Sequence, residues 1–387
     1  MYLSELNLFS FRNYRDLSLK FHPKINIVVG PNGQGKTNLL EAIYLLANLK
    51  SFRSVNREDL ILHEQTGSFI KGTIVTDGLE TEYFLGLTER GKIPKINGKN
   101  ASVLKDYYGK LSVVAFSPED QKLIKGGPEF RRSFIDQFIF RYLPEYLEIV
   151  QKHQKILKCR NALLKDGWRL SDAELKKQLE PWDEQLCFFS AQIAKRRYEA
   201  IGRLSGKIDK LYVEIAGKEG AFLNEEEPLF SLEYLPNPTE IIGLFREFSI
   251  DIISSFYRDC FMRSFSQDKG KGYTTVGPHR DEIDFKLGHH SMRGVASQGQ
   301  QKTAILACKV AEIEDLFNRR DTPIGLAPIL LIDDISSELD SARRRKIFEL
   351  VSSKDLQVFI STTEPSISEE FSEGCYQLFN VFNGSVS

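Results

Sequence analysis

The sequence has no run approaching about 18 consecutive apolar residues, so a bilayer-spanning helix is not expected. Cysteines are few: Cys159, Cys187, Cys260, Cys308 and Cys375 are scattered, odd in number and without CxxC spacing. That pattern argues against a disulfide framework or a zinc site and fits reduced thiols in the cytoplasm. Histidine is scarce as well, and its one adjacent pair, His289-His290, is a weak match to ligand spacing. Charge of one sign is missing too, since 52 Lys and Arg against 53 Asp and Glu leave a net −1. Polyanion binding must therefore come from a local patch. Internal repeats, low-complexity tracts and sustained heptads are absent. Pro128, Pro144, Pro181 and Pro228 interrupt the long charged middle, which excludes an extended coiled-coil arm. The N-terminal MYLSELNLFSFRNY sets polar residues inside its apolar alternation and lacks a small-residue cleavage site, so it reads as a strand.

What is present describes an ordinary soluble chain, 41% hydrophobic and 27% charged over 387 residues. Met1 to Phe11 alternates, and Leu17, Leu19 and Phe21 continue at period two, predicting a strand pair. Ile25 to Val29 predicts a strand, and Leu39, Leu40, Ile43, Leu46 and Ala47 predict the helix after it. Phe69 to Val75 and Thr81 to Leu87 alternate, Asn97-Gly98 signals a hairpin, and Leu111 to Phe116 is a further apolar strand. From Ser117-Pro118 the texture turns helical, with Trp168 and Trp182 as packing anchors and a β signal near Ser231 to Leu235. Short strands return at Tyr273 to Val276 and Ile283 to Leu287. The expectation is a discontinuous α/β domain, 1–116 plus 267–387, with a helical lobe inserted at 117–266.

One basic stretch stands out. Lys152, Lys155, Lys158, Arg160, Lys165 and Arg169 lie close together against the single acid Asp166. A solvated helix face explains such a run as readily as a phosphate contact does.

Three separated segments carry chemistry. Gly30-Pro31-Asn32-Gly33-Gln34-Gly35-Lys36-Thr37 joins the Ile25 strand to the following helix. Its glycines permit a tight turn and close backbone approach, and the helix start aims N–H groups and the positive dipole end at phosphates. Lys36 suits the β- and γ-phosphates of ATP, and the Thr37 hydroxyl suits Mg²⁺. Ile329 to Ile332 is a buried-strand run ending in Asp333-Asp334, two carboxylates that repel unless a cation or reacting water lies between them. Asp333 is assigned to Mg²⁺ and Asp334 to the attacking water. Ser297-Gln298-Gly299-Gln300-Gln301 opens a helix whose face Leu306, Val310, Ile313 and Phe317 reads as core. Ser297 is a natural cap, and the same exposed helix start also suits a phosphate sensor.

These segments, with FRNY (Phe11 to Tyr14), GPNGQGKTNLLEAI (Gly30 to Ile43), GGPEFRRSFID (Gly126 to Asp136), GPHRDE (Gly277 to Glu282), SQGQQKT (Ser297 to Thr303) and IDDISSELD (Ile332 to Asp340), resemble the SMC-like branch of the ABC-type ATPases. Within it they are similar to the RecF family of bacterial recombination-mediator ATPases, and the resemblance spans nearly the whole chain. It implies an ABC-type ATPase head in which Ser297, Gln298, Gly299 and Gln300 of one protomer meet ATP held by residues 30–38 of another, Asn38 included. Asp340, in Ser337-Glu338-Leu339-Asp340, would lie across that interface. It further implies an ATP-dependent homodimer, binding to double-stranded and gapped DNA, and cooperation with RecR, and through it RecO, in loading RecA.

Two departures from the wider superfamily bear on catalysis. The usual catalytic Glu is replaced by Asp334, one methylene shorter, which implies slow hydrolysis. The switch His is replaced in Ser361-Thr362-Thr363, where Thr362 can hydrogen-bond a γ-phosphate but takes up no proton near neutral pH. Pro118-Glu119-Asp120-Gln121 is the best place for a Q-loop. Arg12 and Asn13 follow a strand and could reach the nucleotide, whereas Arg131, Arg132, His279 and Arg280 suit phosphate contacts or plain packing equally. A transporter ATPase subunit is the runner-up, opposed by FRNY, GPHRDE and the size of the insertion. A P-loop kinase would have no use for residues 297–301, and a nuclease would need a further carboxylate cluster.

Overall fold

The computed structural model describes residues 1–53, 56–89, 91–101, 107, 111–216, 228–318, 328–338, 341–353 and 356–387. They form two compact units. The first holds residues 1–121 and 297–387 with the helical stretch from Leu211, and the second holds 122–210 and the described residues up to Ala296.

In the first unit β1 (Tyr2–Phe11) and β2 (Tyr14–Lys20) form a hairpin, and β3 (Ile25–Val29) enters the glycine loop before helix α1 (Lys36–Asn48). Then come β4 (Gly67–Thr76), β5 (Leu79–Thr88), β6 (Gly91–Ile96), β7 (Lys99–Asn100) and β8 (Val113–Phe116). An antiparallel sheet in the order β2-β1-β4-β5-β6-β7 turns Leu6, Leu8, Ile70, Ile74, Tyr83 and Leu85 onto α1. The period-two alternation produces this single buried face. At the β6–β7 turn Asn97 and Gly98 both take positive φ (48° and 74°), as the Asn-Gly signal requires.

A second sheet builds the site. Helix α6 (Gln298–Phe317) leads into it, followed by β12 (Ile329–Ile332), helix α7 (Ser341–Ser353), β13 (Val358–Thr362), β14 (Tyr376–Phe382) and β15 (Ser385–Val386). The order is β15-β14-β3-β13-β12-β8, parallel from β14 to β8. Strands β3, β8, β12 and β13 are buried along their whole length, as a parallel sheet covered on both faces demands. Register places Ile332 beside both Phe116 and Ile360, and Thr362 beside Val29. The glycine loop, Asp333, Ser361 and Ser117 therefore share one carboxyl edge, where open α/β sheets bind ligands.

The second unit contains α2 (Pro128–Tyr142), α3 (Tyr146–Asp166), α4 (Asp172–Ala216) as far as Lys210, β9 (Phe230–Leu235), α5 (Ile250–Lys271), β10 (Glu282–Leu287) and β11 (His290–Ser291). Four expectations are revised here. Residues 267–296 pack with the helical unit, because β10 pairs antiparallel with β9 through Ile283 and Tyr234. Tyr273 to Val276 forms no strand. Trp168 is no core anchor: it is 72% exposed, with the Arg169 guanidinium over its ring. Pro181 lies inside α4 without ending it, and Pro128 starts α2 at its first turn, where a missing N–H costs nothing. The expected core face of α6 holds at Leu306, Val310 and Ile313, while Phe317 reaches the surface.

Candidate nucleotide site

The glycine loop is shaped by what crowds it. A Cβ on Gly30 would lie 2.3 Å from the Val381 carbonyl oxygen, and one on Gly35 (φ 123°) 2.6 Å from Asn13 Nδ2. Both positions are closed to any side chain. No side chain caps the first turn of α1, so its N–H groups are left to an anion. The Lys36 ammonium donates to the Gly30 and Pro31 carbonyls at 2.6 and 2.9 Å, holding its charge inside the loop. Burial lowers its pKa below the usual lysine value, opposed by Asp334 and Asp333.

Opposite the loop, Thr37 Oγ1 donates to Asp333 Oδ1 at 2.9 Å, joining residues 296 positions apart. Ser361 Oγ donates to the same oxygen at 2.7 Å and accepts the Asp334 N–H at 2.8 Å. Burial raises the Asp333 pKa above the usual carboxylate value, while the Ser361 and Thr37 hydrogen bonds oppose the shift. Asp334 takes positive φ (53°), a conformation uncommon for a residue with a Cβ. Two hydroxyls converging on a buried carboxylate form an oxygen donor set that would suit Mg²⁺, and Thr37 and Asp333 are the residues that could hold it. The uncapped helix start and Lys36 fit the phosphates that such a cation accompanies.

Around this centre the other expected residues fall into three groups. Asn13, Gln34 and Asn38 brace the loop: Asn13 Nδ2 donates to the Gln34 carbonyl at 2.9 Å, and Asn38 Nδ2 to Asn13 Oδ1 at 2.8 Å. Tyr14 adds a hydrogen bond to the Gly35 carbonyl at 3.0 Å, and the Asn383 N–H donates to Gln34 Oε1 at 2.8 Å. Arg12 turns to α1 instead. Its guanidinium grips the fully buried Glu41 through two bonds of 2.8 Å, and Ser51 donates to the same carboxylate. Thr362 is buried, and its hydroxyl is taken by Ser336 Oγ at 2.6 Å and the Glu364 N–H at 3.0 Å. At the switch position it is Ser361 that reaches Asp333.

The third group opens α6. Ser297 and Gln300 form a reciprocal capping box, with Gln300 N–H to Ser297 Oγ at 3.2 Å and Ser297 N–H to Gln300 Oε1 at 2.8 Å. Ser297 and Gln298 are exposed. A Cβ on Gly299 would stand 3.4 Å from the Arg343 guanidinium, whose Nε donates to Thr303 Oγ1 at 2.8 Å. Asp340 lies outside the described residues. Pro118 to Gln121 forms a short turn after β8, its Asp120 paired with Lys309 at 2.9 Å.

The arginines of the helical unit are mostly structural. Arg131 is buried and bidentate to Glu282 at 2.8 Å, and Arg132 donates to the Asp281 carbonyl at 2.7 Å. His279 is held by the Thr274 carbonyl at 3.1 Å, and Arg280 lies exposed over the Tyr273 ring.

The chain matches the RecF/RecN/SMC N terminal domain family over residues 2–386. It is 34% identical over 387 residues to the DNA replication and repair protein RecF of Geotalea uraniireducens (strain Rf4), covering 100% of both chains. This chain belongs to the RecF family. The RecF of Citrifermentans bemidjiense is 36% identical, covering 94% of this chain and 93% of that protein. A solved structure described as the recombination mediator protein RecF-ATP in the RecFOR pathway superposes with a TM-score of 0.84 at 30% identity, covering 100% and 97% of the two chains. The Smc head domain of Pyrococcus furiosus shares the fold, at a TM-score of 0.50 and 18% identity. The fold is thus the ABC-type, SMC-like ATPase head with a helical second unit. No helix among the described residues is long and apolar enough to cross a membrane.

Proposed function

We propose that this chain is an ATP-gated DNA-binding protein of recombinational repair and replication-fork maintenance, acting in the cytoplasm. ATP lies along residues 30–38, with Lys36 on its β- and γ-phosphates and Mg²⁺ between Thr37 and Asp333. Asp334 orients the attacking water. The exposed start of α6 (Ser297 to Gln300) and Asp340 complete a second protomer's site, so that ATP closes a homodimer around double-stranded or gapped DNA. Slow hydrolysis opens it again, and the closed state engages RecR, with RecO and RecA downstream.

The observation that carries this reading is the Thr37–Asp333 contact at the mouth of the glycine loop. Membership of the RecF family and the likeness to an ATP-bound RecF support it. Full-length coverage by RecF relatives disfavours the transporter-subunit alternative. The experiment is equilibrium binding of a fluorescent ATP analogue with and without Mg²⁺. Tight, Mg²⁺-dependent binding that Asp333→Ala weakens is expected. Binding unchanged by Mg²⁺ and by that substitution would sink the assignment.

A further inference from the structure

The geometry points to a DNA-backbone track on the helical unit, formed by one face of α3 and the segment 271–280 beside it. This inference rests on the DNA-binding reading above and names the surface that performs it. On α3 the buried residues His153, Ile156, Arg160 and Leu164 recur at three and four, and Lys155, Lys158 and Lys165 project from the opposite side. These three lysines are exposed and have no carboxylate partner among the described residues, unlike Lys152, which approaches Glu148 at 3.8 Å. They span roughly 15 Å at the helical rise. Just past the helix, exposed Arg169 lies 4.8 Å from the exposed Trp168 ring.

The second edge of the track is fixed by hydrogen bonds. The Thr274 N–H donates to Asn161 Oδ1 at 2.8 Å, and a Cβ on Gly272 would stand 3.7 Å from the Lys165 Cα. The chain from Lys271 to Thr274 therefore runs along α3 one turn at a time. It adds exposed Lys271 and Arg280, the latter 4.9 Å over the exposed Tyr273 ring. Arg280 and Arg169 are thus each propped by an aromatic face, which limits the rotamer entropy lost on reaching a phosphate.

Beneath this surface a buried network holds both edges together. Arg160, with no exposed surface, donates to Asp183 at 2.5 Å, Asp268 at 2.7 Å and Thr274 Oγ1 at 2.8 Å. Asp268 in turn accepts the Thr275 N–H at 2.9 Å. The charges of Arg160 and Asp268 are spent inside, and six cations remain outside: Lys155, Lys158, Lys165, Arg169, Lys271 and Arg280. Asp166 is exposed among them, and Asp172 is engaged by Lys269 at 2.7 Å. On a chain of net charge −1, this local excess complements a regularly spaced polyanion. Without side chains placed for base edges, recognition is of the duplex backbone and independent of sequence.

The test is duplex DNA binding by the full chain with ATP–Mg²⁺ across a salt series, comparing wild type with Lys155→Gln/Lys158→Gln/Lys165→Gln. Each lost phosphate contact removes about 0.9 from the slope of log affinity against log salt. The triple variant should lose about two to three units of slope and at least tenfold in affinity at 0.1 M salt. Its ATP-analogue binding should be unchanged. A wild type that binds duplex while the variant keeps the same affinity and slope overturns the track alone. A wild type that binds no duplex at any salt overturns the DNA reading and the track with it. Binding to vesicles rich in anionic lipid, lost in the variant while duplex binding persists, would also overturn it.

Discussion

Thr37 and Asp333, 296 positions apart in the chain, meet at 2.9 Å because β3 and β12 flank β13 in one parallel sheet. Ser361, from the strand between them, completes the contact at 2.7 Å. Removing its hydroxyl leaves both proposed Mg²⁺ ligands in place but frees the Asp333 carboxylate and the Asp334 N–H. Ser361→Ala should weaken Mg²⁺-dependent ATP binding about 10- to 100-fold, the usual effect of losing a group that orients a metal ligand. Calorimetric titration checks this, and an unchanged Mg²⁺ dependence would show that Ser361 orients nothing.

Lys36→Ala removes the ammonium that the Gly30 and Pro31 carbonyls hold in the loop, the group proposed to meet the phosphates. Loss of a charge-assisted hydrogen bond costs about 1.5–3 kcal/mol, which is about 10- to 150-fold in ATP affinity. ATP-dependent assembly should vanish at ordinary nucleotide concentrations. Sedimentation velocity with and without ATP–Mg²⁺ reads the outcome.

Asp334→Asn should separate binding from hydrolysis. The amide keeps the side chain's size but cannot take a proton from water, so ATP binding persists, turnover stops and the dimer accumulates. A variant that stays monomeric with saturating ATP contradicts the role given to Asp334.

Arg12 is a test of structure against chemistry. Arg12→Ala leaves Glu41, with no exposed surface, without its ion-pair partner, and breaking such a pair costs about 3–5 kcal/mol. A large fall in thermal stability is expected, with part of it restored by adding Glu41→Gln. Full stability combined with lost ATP affinity would instead make Arg12 a direct nucleotide contact.

A pH signature should come from the helical unit. Burial, then neighbouring charge, pushes His153 down to about 3; burial and the nearby arginines push His279 down to about 4. Both are therefore neutral when folded, whereas the unfolded chain takes up protons below about pH 6.5. Stability is full above that value and falls as pH drops toward 4, by up to about 1.4 kcal/mol per pH unit for each histidine. Asp183, Asp281 and Asp333, whose pKa values burial raises, act in the opposite sense, their contribution being lost as pH rises above the usual carboxylate range. The histidine contribution is thus read as a difference: His153→Gln should show a shallower loss between pH 6 and 5 in denaturant titrations. Parallel curves would contradict it.

Much of this site was legible in the sequence because its chemistry is local. A glycine loop between a strand and a helix, or two carboxylates ending a buried strand, needs no knowledge of the rest of the chain. Pairing across distance was harder to read. Residues 267–296 carried strand signals that pointed back to the head, and only the β9–β10 register assigns them to the helical unit. The choice between Ser361 and Thr362 depended on which face of β13 meets Asp333, a one-residue question of strand alternation. The Arg12–Glu41 pair was not legible either, because Glu41 occupies a fully buried position of α1, where a charge is unexpected.

The most direct test of the ATP-gated clamp is sedimentation of fluorescent gapped duplex DNA with this protein at fixed salt, with and without ATP–Mg²⁺. A complex of two protomers on the DNA that forms only with ATP is expected. DNA binding indifferent to ATP, or a single protomer bound in its presence, would contradict it.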